Sequence, residues 1–278
     1  MSDYSFPRTK IGDLSVSRMI IGTNNVFGGS HRTKARDLHI KGLFQTKESA
    51  ADLVETYLGY GVDTIIGCVT ENRFMVDGIK LAQDRTGKKV NYIQLGIFDV
   101  SDTAKARQEA EAYMKKCRDN GCDVFMPLHN RVEELLCKHT RKIDRIEDYL
   151  KMIRGLGMIP GLSAHMPEVI QYADENEYDA EVYIQIYNAI GFLMQIEIET
   201  VHKIIWNSKK PVITIKSMAA GHLNPFVGLN FSWSTIRPQD MVAVGCMTSE
   251  EVHEVVEISR ASFERRVPNL EGRQHQYK

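Results

Sequence analysis

Short apolar runs recur along the chain, and many stop at a residue able to do chemistry. Ile65–Cys68 leads to Glu71, Val124–Leu128 to His129, Met158–Ser163 to His165 and Val212–Ile215 to Lys216, while Val182–Tyr187 ends in an aromatic. Unbroken apolar runs of this length are the signature of strands covered on both faces. The pattern predicts strands near 19–22, 63–67, 90–95, 123–128, 158–163, 182–187, 212–216 and 241–246. Amphipathic stretches fall between them at 47–60, 72–84, 102–119, 142–155, 167–176, 195–207, 224–235 and 249–264. Capping signals such as Ser101-Asp102 and Thr248-Ser249-Glu250-Glu251 mark helix starts, and Gly61, Gly121, Gly155 and Gly157 mark exits.

Strands alternating with helices build a parallel sheet, and this regular spacing predicts closure into a (β/α)8 TIM barrel of α/β class. A hairpin around Gly12-Asp13, within residues 9–18, is expected before the barrel, and a polar tail over 265–278 after it. No linker composition divides the chain, so residues 1–278 are expected to form a single domain. In such a barrel the strand tips converge on one pocket.

Charge narrows the partners. The chain balances 35 Lys and Arg against 36 Asp and Glu, a formal net charge of -1, which gives no electrostatic case for nucleic acid or an anionic membrane. Five cysteines without a CxxC pair argue against a disulfide framework or a thiolate zinc site. The start of the chain lacks an apolar leader-like run, and no later run is long enough to span a bilayer. A cytoplasmic protein with a small-molecule substrate follows, possible also as a homo-oligomer.

Several motifs together resemble the aldo-keto reductase superfamily. Ile11-Gly-Asp-Leu-Ser-Val-Ser-Arg-Met-Ile-Ile-Gly-Thr is similar to that family's hairpin and first strand. Gly161-Leu-Ser-Ala-His resembles its fifth strand, Gln185-Ile-Tyr-Asn its sixth, and Val244-Gly-Cys-Met-Thr-Ser-Glu-Glu-Val its last strand and helix. The resemblance implies an NADPH-dependent reductase with an Asp, Tyr, Lys, His tetrad. Carried onto this chain, the Asp falls at Ile66, the Tyr at Glu71 and the Lys at Gln94 or Leu95, while the His is matched by His129. The Ser-Asn pair becomes Ser163-Ala164, and the positions that would grip the 2′-phosphate run from Met247 through Val255 without a cation. NADP(H) is therefore not expected.

His129 and His165 end adjacent strands, where imidazoles could move protons or hold a metal. Glu71 could complete a two-His-one-carboxylate set with them for a divalent ion such as Zn, Mn or Mg. Lys216 is an unusual end for Val-Ile-Thr-Ile and could anchor an anion or act as base or Schiff-base nucleophile; the plain alternative is an ion pair. Asn24, Asn25 and His31, in a Gly-rich loop, are candidate substrate contacts with Gln94, Gln185 and Tyr187.

These residues lead to an expected enzyme that has lost the hydride machinery. It would act by acid–base chemistry, as an isomerase, epimerase or lyase, on a small hydroxylated carbonyl compound such as a sugar or sugar acid. His129, His165, Lys216 and Glu71 would be catalytic. The alternatives are an NAD(P)H-dependent oxidoreductase with a rebuilt tetrad and a non-catalytic ligand-binding barrel.

Overall fold

The computed structural model describes residues 5–270. The last part of the expected tail, including His275, lies outside them. Strands β1 (Arg8–Ile11) and β2 (Leu14–Ser17) form the antiparallel hairpin. The barrel strands are β3 (Met19–Gly22), β4 (Thr64–Gly67), β5 (Asn91–Gly96), β6 (Val124–Pro127), β9 (Ile159–Pro160), β10 (Leu162–Ser163), β11 (Tyr183–Ile186), β12 (Val212–Ile215) and β13 (Met241–Val244). A small hairpin, β7 (Leu136–Cys137) with β8 (Lys142–Ile143), sits outside them.

The parallel order is β10-β11-β12-β13-β3-β4-β5-β6-β9. Its two ends are halves of one segment, because β9 pairs with β6 and β10 with β11 across Gly161. Gly161 donates its N–H to Phe125 O, and the next residue donates to Val182 O. A Cβ on Gly161 would lie 2.7 Å from Val182 Cγ1 and 2.9 Å from Val182 O, so this bend requires glycine. The ring of eight expected strands closes there.

Alternation along each strand separates two cores. Ile20, Ile66, Ile93, Val124, Met126, Val182, Ile184, Ile213 and Met241 fill the barrel, with Ile11 and Val16 of the hairpin joining the same cluster. Their neighbours, among them Ile21, Ile65, Phe125, Tyr183 and Val212, face the helices. The shell comprises α3 (Lys47–Gly59), α4 (Arg73–Thr86), α5 (Ala104–Asp119), α7 (Ile146–Gly155), α8 (Glu168–Glu175), α9 (Ile198–Asn207), α10 (Pro225–Thr235) and α11 (Ser249–Glu264), close to the expected ranges.

Three α-helices were not expected. The Gly-rich loop after β3 folds into α1 (Asn24–Phe27) and α2 (Lys34–Leu43), and α6 (His129–Glu134) follows β6 directly. Thr33 caps α2 by accepting from Arg36 N, a Ser/Thr cap whose helix lacks a clean apolar stripe.

Candidate functional site

A cleft of about 1110 Å³ opens at the carboxyl ends of the strands. Ile66, Leu95, Ile184, Ile215 and Ala243 line it from within the barrel. His129, His165 and Lys216 line it from the strand tips, and Asn24, Asn25 and His31 from the α1–α2 segment. It continues to Met247, Glu251 and Glu254 at the start of α11.

The two strand-tip histidines meet as expected from their positions. Their rings stack with centroids 3.8 Å apart and planes within 15°. Glu133, one helical turn after His129, accepts from His165 N at 2.5 Å and Met166 N at 3.1 Å. Gln185 Nε2, on β11, donates to His165 O at 3.2 Å. The backbone carrying His165 is thus held from two elements.

Lys216 follows the inward-facing Ile215, so strict alternation would turn it outward. Its left-handed backbone, φ +60°, breaks the alternation, and the side chain lines the cleft with Nζ 3.0 Å from His31 Nε2. His31 is itself left-handed, with φ +57°. Burial lowers the Lys216 pKa. Burial and then the His129, Lys216 and His31 charges push His165 down to about 3. His129 is also lowered, chiefly by burial, with Glu133 opposing. Both imidazoles are therefore neutral near pH 7.

Other expected site residues lie elsewhere. Glu71 accepts from Tyr113 Oη and from Gln94 Nε2, on the helix side of the sheet. Gln94 adjoins the inward Ile93, and Gln185 the inward Ile184, so both point away from the cleft. Tyr187 is buried against Phe231, ring centroids 5.0 Å apart. Among the described residues no group of three or more His, Cys, Asp or Glu is placed to hold a metal ion. The expected set of Glu71, His129 and His165 fails because the sheet separates the carboxylate from the imidazoles. The same alternation places Leu95, rather than Gln94, at the cleft.

Cys68 and Cys246 also line the cleft, but burial pushes both thiols up to about 12, so neither is a thiolate nucleophile near neutral pH. Four contributors escaped the sequence reading: Glu133, Ser217, Arg32 and Arg36. The four-residue spacing of Glu133 from His129 on one helix face was an available signal. The two arginines were hidden in a segment read as loop.

Compared with solved structures, the chain is similar over nearly its whole length to aldo-keto reductases. A candidate member from Pseudomonas aeruginosa shares 14% identity, with a TM-score of 0.67 over 95% of this chain and 98% of that one. An aldo-keto reductase from Bacillus halodurans in holo form has 11% identity and a TM-score of 0.62 over 96% and 99%. One from Bombyx mori, in complex with NADP, has 11% identity and a TM-score of 0.59 over 95% and 99%. The chain carries an aldo-keto-reductase-like barrel. By sequence it matches no protein-family model and no curated protein.

These similarities displace the isomerase or lyase expectation and favour the oxidoreductase alternative. One neighbour of this fold is in complex with NADP. Among the described residues no helix is long and apolar enough to cross a membrane.

Proposed function

We propose that this protein is a nicotinamide-dependent oxidoreductase acting on a small carbonyl compound. The observation that carries the reading is the extent of the cleft, from the His129–His165 pair to the start of α11, in a barrel of aldo-keto reductase type.

The residues present fit a dinucleotide. Ile66, Ile184, Ile215 and Ala243 offer apolar surface for a flat ring. Arg32 and Arg36 line the cleft, with contacts to Gly221 O and Met247 Sδ, and are suited to a diphosphate. Glu251 and Glu254 supply acceptors for ribose hydroxyls at the far end. When bound, the dinucleotide supplies the hydride.

The chain's own work is to bind, orient and polarise the substrate. A neutral His129 polarises the substrate carbonyl through a ring N–H, as an imidazole does when its pKa lies below the working pH. The stacked His165 ring, carried on a backbone that Glu133 and Gln185 hold, keeps His129 in orientation. The apolar strand tips keep water from the reacting centre.

Titration with NADH and NADPH, followed by nicotinamide fluorescence and calorimetry, tests this. Micromolar binding of either, weakened about tenfold or more in Arg36→Ala, is expected for a lost charge-assisted contact. Absence of binding by both at millimolar concentration would overturn it.

A further inference from the structure

We propose that Lys216, His31 and Ser217 form an anion site at the cleft mouth that takes the oxyanion group of an acidic carbonyl substrate. The word substrate rests on the oxidoreductase reading, while the anion site itself does not.

Three independent observations converge there. First, a half-buried ammonium and three imidazoles share one cavity. Lys216 Nζ meets His31 Nε2 at 3.0 Å, and the stacked His129 and His165 line the same cleft. Among the described residues the ammonium's contact is this imidazole rather than a carboxylate. A cation withdrawn from water is costly unless an opposite charge meets it.

The neighbouring carboxylates are already engaged by other donors. Glu133 accepts from the backbone N–H groups of His165 and Met166. Glu251 accepts from Met247 N at 2.7 Å. Asp37 accepts from Ser30 N at 2.8 Å and Ser30 Oγ at 2.5 Å. A ligand's negative charge would complete the arrangement.

Second, Ser217 is 1% exposed, lines the cleft, and its Oγ has no hydrogen-bond partner. Buried hydroxyls are normally paired, and an orphan beside an uncompensated cation points to a missing acceptor. Third, the backbone that presents these groups is strained. Lys216, Ala219 and Ala220 are all left-handed non-glycine residues, as is His31 opposite. Such conformations cost roughly 1–3 kcal/mol each and persist at ligand clamps.

The chemistry selects a ligand with two or more equivalent oxygens. One oxygen can accept from Nζ and another from Ser217 Oγ, while neutral His31 accepts from the ammonium through Nε2 and holds it at the rim. The residue types do not separate a carboxylate from a phosphate, so the probes do.

Calorimetric titration of the unliganded protein with sodium oxamate and with sodium phosphate tests the site. Binding of at least one at millimolar concentration or tighter is expected, the stronger naming the group. Lys216→Met and, separately, His31→Gln should each weaken it about tenfold or more while retaining the wild-type circular dichroism spectrum. If neither anion binds, or if both folded variants bind as well as the wild type, the proposal is wrong. Dinucleotide binding without anion binding overturns the anion site alone. Anion binding without dinucleotide binding supports the site and overturns the oxidoreductase reading.

Discussion

Lys216 Nζ and His31 Nε2 lie 3.0 Å apart, joining two left-handed residues that are 185 positions apart in sequence. Two groups able to carry positive charge can share a hydrogen bond only when one gives up its proton, and the ammonium lowers the pKa of His31, His129 and His165 together. Replacing Lys216 with Met should therefore raise all three imidazole pKa values. Two-dimensional NMR titration of the ring protons reads this directly. A fall, or no change at any of the three, would show that the ammonium lies elsewhere.

The depressed pKa of His165 also sets an acid limb of stability. The ordinary imidazole value is 6.5, whereas burial and the neighbouring charges push folded His165 down to about 3. Between these values the unfolded chain binds the proton and the folded chain does not. The contribution is complete above about pH 6.5 and is lost progressively as the pH falls toward 3. His165→Gln, which cannot titrate, should give a shallower fall of Tm over that window. Parallel curves for variant and wild type would contradict the assignment.

Glu133 acts through the two histidines rather than on the substrate. It fixes the His165 backbone and raises the His129 pKa by its charge. Glu133→Ala should lower the His129 pKa further, loosen the stacked pair and raise KM less than it lowers kcat. Glu133→Gln should rescue the backbone hydrogen bonds but not the His129 shift. A purely structural role would leave the His129 titration unchanged in both variants.

How much was legible in the sequence follows from these particulars. The strands and most of the helices could be read because buried parallel strands and amphipathic helices leave periodic signals. That His129, His165 and Lys216 line the cleft followed from their place at strand tips. Glu71, Gln94, Gln185 and Tyr187 were misjudged because proximity to a strand end does not fix which face a side chain takes. One residue of offset sends it to the helices, and only the register reveals the offset. Lys216 has the opposite history: strict alternation would have turned it outward, and a left-handed backbone brings it in. Arg32 and Arg36 were invisible because α2 lacks a clean apolar stripe.

Closure of the barrel gives a prediction about stability alone. Gly161→Ala would push a methyl group into Val182 Cγ1 and Val182 O, at 2.7 and 2.9 Å. A backbone oxygen cannot swing aside as a flexible side chain can, so the variant should lose roughly 1–3 kcal/mol, the range for overpacking. Urea unfolding measures it, and a loss under ~0.5 kcal/mol would mean that the β9–β10 segment adjusts freely.

The amino end of the barrel supplies a contrast to the mouth. Arg237 and Asp240 form a buried bidentate pair, with Nε donating to Oδ2 at 2.9 Å and Nη2 to Oδ1 at 2.7 Å. The guanidinium also donates to Ser208 O and Lys210 O, and the carboxylate accepts from Val212 N and Arg237 N. The pair thus ties the entry to β12 to the entry to β13, far from the cleft. Removing one partner strands a buried charge, so Asp240→Ala should cost about 3–5 kcal/mol. Because the loss is one of uncompensated charge, the double variant Arg237→Met, Asp240→Leu should recover part of it despite having fewer hydrogen bonds. Residues at this end of a barrel serve stability rather than ligand binding. The double variant, once shown by urea unfolding to be folded, should bind NADH and oxamate as the wild type does. A large loss of either affinity would place Arg237 and Asp240 in communication with the cleft and contradict the division of labour between the two ends.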